Sequence, residues 1–257
     1  MTATFIILTA YIASLLTLFS GFGLGTLLMP VIAIFFPVAI AIAMTAFVHL
    51  LNNAFKLLTL WKDINWHICV LFGFPALLAA IPGAWILTNL SSGTMITQYT
   101  IFNIAAEITP IKLVIGTLLI FFSGVEFYSI AKKFNISKRL LPLGGVLSGF
   151  FGGLSGHQGA FRSAFLLHAN LNPRQFVATN AAIATLVDIT RLVIYGINIQ
   201  LLFNEVDNSL VLFASFAAFA GVLTGKLGIH KVTIELIQTI VAYMLLGIGM
   251  LLCIGVI

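Results

Sequence analysis

Charged side chains are almost missing from this sequence: Asp, Glu, Lys and Arg make up 7% of its 257 residues, against a hydrophobic share of 61%. A soluble domain carries about 25% charged residues. A chain with so few cannot cover a water-facing surface, which excludes a soluble globular protein, and a mean hydropathy of +1.16 agrees. Cysteine is equally sparse. Cys69 and Cys253 both lie in apolar runs, with neither a CxxC nor a metal-ligand spacing, so packing is their reading. HExxH and GxSxG signatures are missing too, which argues against an intramembrane enzyme. No spacing suggests a cofactor or a metal, and the alternating ten-residue segments of an outer-membrane barrel are absent. The formal net charge of +5 fits the basic cytoplasmic loops of a membrane protein and gives no cause to expect nucleic acid.

What the chain does have is apolar length. Eight segments, at about 4–20, 38–58, 67–89, 111–131, 141–154, 174–196, 209–227 and 233–257, approach or reach the roughly 20 residues that a helix needs to cross a bilayer. The first has no basic residue before it and no small-residue cleavage site, so it reads as part of the fold and not as a signal peptide. Two shorter apolar pieces, about 26–36 and 159–169, each follow a run of glycines. The predicted architecture is an all-α polytopic membrane protein, a single domain over 1–257 embedded in the lipid bilayer. Trp61, Trp66 and Trp85 lie near segment ends, where interfacial anchoring is expected.

The basic connection "AKKFNISKR" (131–139) divides the chain near its middle and prompts a search for duplication. "SGFGLGTLLMP" (20–30) aligns with "LSGHQGAFRSA" (154–164) when Gly25 is placed over Gly159. One residue of insertion then places Thr45 on Asn180, Asn53 on Asp188 and Lys56 on Arg191. This predicts two four-segment repeats, about 1–131 and 140–257. If each glycine break is a re-entrant turn, the second repeat is inverted. Lys62, the 131–139 cluster, Lys226 and Lys231 then share one side, Glu107, Glu205 and Asp207 share the other, and Lys112 is the main exception. The positive-inside rule favours that arrangement, with both termini outside.

Backbone that leaves helical geometry inside a bilayer must be buried in protein or line a wet cavity. Gly21, Gly23 and Gly25 permit such a bend, as do Gly152, Gly153, Gly156 and Gly159. The helix restarting after each break points its free N–H groups and positive dipole end at the break, an arrangement that suits a small oxyanion. Close helix packing is the alternative use of membrane glycines, and for the first cluster the two readings stand level. In the second, Ser155, His157 and Gln158 among the glycines favour the break.

These features resemble the TauE/SafE family of sulfite exporters. The residues that carry the resemblance are "SGFGLGTLLMP" (20–30), "GVLSGFFGGLSGHQGAF" (145–161) and "FVATNAAIATLVDITR" (176–191), and the layout extends it over nearly the whole chain. The resemblance implies a polytopic permease of small sulfur-containing anions such as sulfite or organosulfonates. Family members usually carry three successive glycines in each break. Here those places hold Leu24-Gly25-Thr26 and His157-Gln158-Gly159, so side-chain donors replace bare backbone in the second break.

Polar residues inside the spans complete the candidate set. Thr45, His49, Asn52 and Lys56 share one helical face, and Asn180, Asp188 and Arg191 share another. Ionisable residues at membrane depth usually face a cavity or a partner. Asp188 is spaced to pair with Arg191, or across the repeat with Lys56, while Lys56 near its helix end could instead snorkel to the interface. His157 is either an anion donor, a proton carrier or a structural residue. Gln158 could donate to the same anion. Arg162 either adds positive potential or reaches a lipid headgroup, and Glu126 either couples protons or reaches the interface. The substrate-binding expectation is therefore Gly23, Gly25, Thr26, His49, Asn53, Ser155, Gly156, His157, Gln158, Gly159, Arg162 and Asn180. Coupling or gating falls to Asp188, Arg191, Lys56 and Glu126. The sequence favours a secondary transporter of a small anion, with proton or cation coupling as an accompanying expectation. An anion or small-solute channel is the alternative, and an intramembrane enzyme a more distant one. Oligomeric state leaves no mark in it.

Overall fold

The computed structural model describes residues 1–20, 23–101, 103–128, 137–198, 208–226 and 234–257. Gly21, Glu205, Asp207, Lys231 and most of the 131–139 cluster lie outside the described residues. Ten α-helices form among the described residues. The first five are α1 (Thr2–Ser20), α2 (Gly25–Ala33), α3 (Val38–Leu60), α4 (Trp66–Ser91) and α5 (Pro110–Tyr128). The second five are α6 (Leu141–Ser155), α7 (Gly159–Leu166), α8 (Pro173–Asn198), α9 (Asn208–Lys226) and α10 (Ile234–Cys253). The order within each set is the same: a helix, a short helix, then three long ones. Both short helices begin at Gly25 and Gly159, the two glycines that the sequence comparison superposes.

Local chemistry accounts for several boundaries. Asn65 caps α4 by accepting from the Ile68 N–H at 3.1 Å. Asn172 and Gln175 cap α8 reciprocally: the Gln175 N–H donates to Asn172 Oδ1 at 2.9 Å and the Asn172 N–H to Gln175 Oε1 at 3.3 Å. On α4 the side chains Val70, Phe74, Leu78, Ile81 and Trp85 form an exposed stripe, while Ile68, Phe72, Ala76, Ala80 and Ala84 are buried. An apolar face left exposed at helical spacing is what a lipid-facing helix presents. By length and hydropathy α3, α4, α5, α8 and α9 can each cross a bilayer, and α1 and α10 hold shorter apolar runs. The 15-residue α6 matches the segment expected at 141–154 and falls short of the roughly 20 residues of a full span because it ends at the glycine break.

Glycine sets three of the helix seams. Side chains at Gly145, Gly149 and Gly153 of α6 would collide with the carbonyl oxygens of Phe72, Ala76 and Ala80 on α4. The pairings rise together in number, so α6 and α4 run parallel. The same device recurs where Gly221 of α9 meets the Tyr11 carbonyl of α1 and Gly225 meets Leu18, again in parallel. Close backbone approach of this kind replaces the hydrophobic effect as the driving force between helices in lipid. Along the third seam Gly116 of α5 and Gly249 of α10 approach each other reciprocally, and the Ser123 hydroxyl donates to the Ala242 carbonyl at 2.8 Å. There one number rises as the other falls, so the fifth helices of the two sets are antiparallel.

The all-α expectation missed one element. A hairpin of β1 (Thr97–Ile101) and β2 (Ile104–Ile108), antiparallel with Thr97 opposite Ile108, fills the connection between α4 and α5. It is tied to the chain end: the Tyr99 hydroxyl donates to the Ile254 carbonyl at 2.6 Å and the Glu107 N–H to the Gly255 carbonyl at 2.9 Å. Residues too polar to span were read as a loop, and pairing to a distant carboxyl terminus is not a local signal. Lys62 precedes α4 and the hairpin follows it, so that 26-residue helix, about 39 Å long, separates them.

Seam packing predicts a sharp contrast between glycines. Gly149→Ala should lose about 1–3 kcal/mol of stability by overpacking, whereas Gly124→Ala, with nothing within 4 Å of the new methyl, should be nearly silent. Thermal unfolding of the detergent-solubilised variants reads the difference.

Candidate functional site

The two breaks meet. A Cβ built on Gly25 would lie 3.6 Å from the Gly156 carbonyl oxygen, 3.4 Å from Thr45 Cγ2 and 3.9 Å from His49 Cδ2. Each break turns on one left-handed glycine, Gly23 at φ +85° and Gly156 at φ +79°, a conformation costly for any side chain-bearing residue. Neither short helix has a side-chain cap at its start, so both positive ends are left for other partners. The α1–α2 and α6–α7 breaks thus come together beside the polar faces of α3 and α8.

Asp188 of α8 is the hub. Its Oδ2 accepts from His49 Nδ1 of α3 at 2.6 Å. Its Oδ1 accepts from Gln158 Nε2 and from Arg191 Nε, both at 3.0 Å. The Arg191 guanidinium also lies 2.8 Å from Oδ1 through Nη2, and Nη1 contacts the Gly152 carbonyl at 3.5 Å. Gln158 in turn accepts from Arg162 Nη1 at 2.8 Å, and Arg162 Nε donates to Asn180 Oδ1. The Asn53 amide nitrogen sits 3.2 and 3.3 Å from the two His49 ring nitrogens. Asn180 is half-buried and the other side chains are buried, Asp188, Arg162 and Arg191 completely. Three cations, Lys56, Arg162 and Arg191, face one carboxylate in the same region, which leaves a net positive site. Lys56 is also buried, within electrostatic range of Arg162, and has no hydrogen-bond or ion-pair partner among the described residues.

His157 occupies the second break itself. Its Nδ1 lies 3.0 Å from the Ser155 carbonyl oxygen and its ring stacks on Phe122 of α5, with centroids 5.4 Å apart. Among the described residues its Nε2 has no hydrogen-bond partner, and neither has Thr45 Oγ1. A cavity of about 450 Å³ opens at the hairpin end and is lined by Ala33, Phe36, Val38, Glu107, Lys112 and Ile257 among others. It sits at the far end of α2 from the break, about 14 Å along that nine-residue helix, and none of the cluster residues lines it.

A chain-wide comparison decides what this arrangement belongs to: the family model for sulfite exporter TauE/SafE matches residues 6–252. The chain belongs to the TauE/SafE family. No curated protein and no solved structure matches it. As a TauE/SafE protein it is a multi-pass transporter of the cell membrane and not an enzyme.

Nearly all the expected residues of this TauE/SafE protein are drawn together. Gly23, Gly25 and Thr26 from the first break join Ser155, Gly156, His157, Gln158 and Gly159 from the second, with His49, Asn53, Lys56, Asn180, Asp188 and Arg191 alongside. Arg162 is fully buried and bonded, which removes the lipid-headgroup alternative, and Lys56 does not snorkel. Asp188 pairs with Arg191, and its partner on α3 is His49, not Lys56. Glu126 stands apart: it is buried in the α5–α10 seam and takes a hydrogen bond from Gln238. Sequence reasoning missed Tyr195, whose hydroxyl donates to the Gly153 carbonyl, and Ser148, which donates to the Gln158 carbonyl at 3.0 Å. Tyr195 follows Asp188 and Arg191 on one helical face, so periodicity could have found it. Phe122, apolar among 23 phenylalanines, gave no signal.

Asp188→Asn should destabilise the protein by about 3–5 kcal/mol, since it leaves Arg191 as a buried unpaired charge. Adding Arg191→Gln should restore part of that loss. Unfolding curves of the wild type, both single variants and the double variant measure the coupling.

Proposed function

We propose that this protein is a secondary permease of small, sulfur-containing anions such as sulfite or organosulfonates, working by alternating access about the point where its helix breaks meet. The observation that carries the reading is the charge balance there: three cations against one carboxylate, buried between two uncapped helix starts. A small oxyanion would supply the missing negative charge. It would be held by Lys56 and Arg162, by Thr26, Gln158 and Asn180, and by the N–H groups at Gly25 and Gly159.

The same reading takes the two sets of five helices as inverted repeats. Support comes from the antiparallel α5 and α10 and from exchange of seams, with α4 on α6 matched by α9 on α1. Inverted repeats place the site at their interface and allow each to rock about it. The charged side chains of the cluster are buried, and on this reading the cavity at the hairpin end is the approach from one side. His49 and Asp188 link the repeats and act as the gate, with Arg191 and Lys56 released or engaged as the anion binds. Glu126, one turn along α5 from the Phe122 that stacks on His157, takes the part of a coupling carboxylate in the α5–α10 seam.

Proteoliposomes preloaded with sulfite, thiosulfate or an organosulfonate should drive counterflow of labelled substrate without steady electrical conductance. Lys56→Met should weaken substrate affinity by about tenfold or more, the effect of losing one charge-assisted contact. Folded protein that exchanges none of these anions would sink the substrate class, and a sustained anion current would favour a channel.

A further inference from the structure

The His157 ring has a fixed tautomer. A carbonyl oxygen can only accept, so the Nδ1 atom 3.0 Å from the Ser155 carbonyl carries the hydrogen. In the neutral ring Nε2 is then a bare lone pair, and this atom is buried with no hydrogen-bond partner among the described residues. Stacking on Phe122 holds the ring plane, and Phe151 and Phe161 pack around Phe122 in turn. The geometry therefore offers an acceptor, in a site whose other side chains are mostly donors. Fully deprotonated oxyanions have nothing to give it, and two lone pairs facing each other would repel.

We infer, resting on the anion-carrier reading above, that one proton enters the site with each anion and is seated at His157 Nε2. It arrives either on a substrate hydroxyl, which then donates to Nε2, or from water, in which case the ring becomes an imidazolium. In both cases Nδ1–H stays on the Ser155 carbonyl and the added positive charge or hydrogen bond is spent on the anion. The surroundings leave this group free to act. Arg191 of α8 is the charge that bears on it and is held by Asp188. On α7, Arg162 is engaged by Gln158 and Asn180; on α3, His49 is engaged by Asp188. On α5, Glu126 is engaged by Gln238, and α2 has no titratable side chain.

The test uses two near-isosteres on the full-length protein in nanodiscs: methanesulfonate, which has no hydroxyl, and the methylphosphonate monoanion, which has one. Calorimetry in buffers of different ionisation enthalpy counts protons. If the substrate brings the proton, the phosphonate monoanion binds about tenfold tighter than the sulfonate with no proton uptake. If water supplies it, the sulfonate binds with uptake of one proton and tightens as pH falls. His157→Phe, which keeps the stack on Phe122 but removes the acceptor, should abolish either signature while leaving residual anion binding; His157→Gln, with an acceptor oxygen in reach, should retain the phosphonate preference. Equal affinities with no proton uptake in the wild type overturn this inference and leave the anion-carrier reading standing. Signatures unchanged in His157→Phe also overturn it. Folded wild type that binds no oxyanion at all overturns both.

Discussion

A carboxylate buried at membrane depth must be satisfied from within the protein, and the structure organises itself around how Asp188 is satisfied. It accepts from His49 on α3, from Gln158 in the second break and from Arg191 on its own helix. Those bonds reach both halves of the chain and both kinds of element, the continuous helix and the broken one. Leaving such a charge unpaired in a low-dielectric interior costs about 3–5 kcal/mol. The contact therefore fixes how α3 and α8 sit against each other and where the second break lies between them. Gln158 carries the arrangement outward to Arg162 and Asn180.

Glycine permits that closeness. Along α6, Gly145, Gly149 and Gly153 bring its backbone against the carbonyls of α4, and Gly221 does the same for α9 on α1. Once those seams are set, the helix ends at Gly156 and restarts at Gly159 with its first turn facing the first break. The two glycine functions weighed for the sequence, packing and breaking, turn out to be divided by position. Gly145, Gly149 and Gly153 pack, while Gly23 and Gly156 hold left-handed turns.

The site differs in its two halves even though the helices correspond. The first break contributes backbone and Thr26; the second contributes His157 and Gln158, with Arg162 one turn along α7. Where α8 has Asp188 and Arg191, the matching places on α3 are Asn53 and Lys56. That asymmetry also explains why Lys56 lacks an internal partner: its counterpart Arg191 has a carboxylate three residues away, and Lys56 has only an amide there.

The sequence by itself determined the membrane class, the helix order, the second break and most of the polar cluster. Each of these rests on local quantities: apolar length, glycine content and the helical spacing of Thr45, His49, Asn180, Asp188 and Arg191. Family membership was legible for the same reason, since "SGFGLGTLLMP" and "GVLSGFFGGLSGHQGAF" are contiguous. Only the tertiary structure decided which partner each buried group takes. Asp188 pairs with His49, a residue 139 positions away, and the hairpin is tied to a carbonyl 155 positions from Tyr99. Pairings of that kind depend on helix rotation and depth, which glycine seams set to within a few ångströms and which periodicity along one helix cannot encode. The same holds for Glu126: the sequence left it between proton coupling and the interface, and only packing against α10 shows that it is buried facing Gln238.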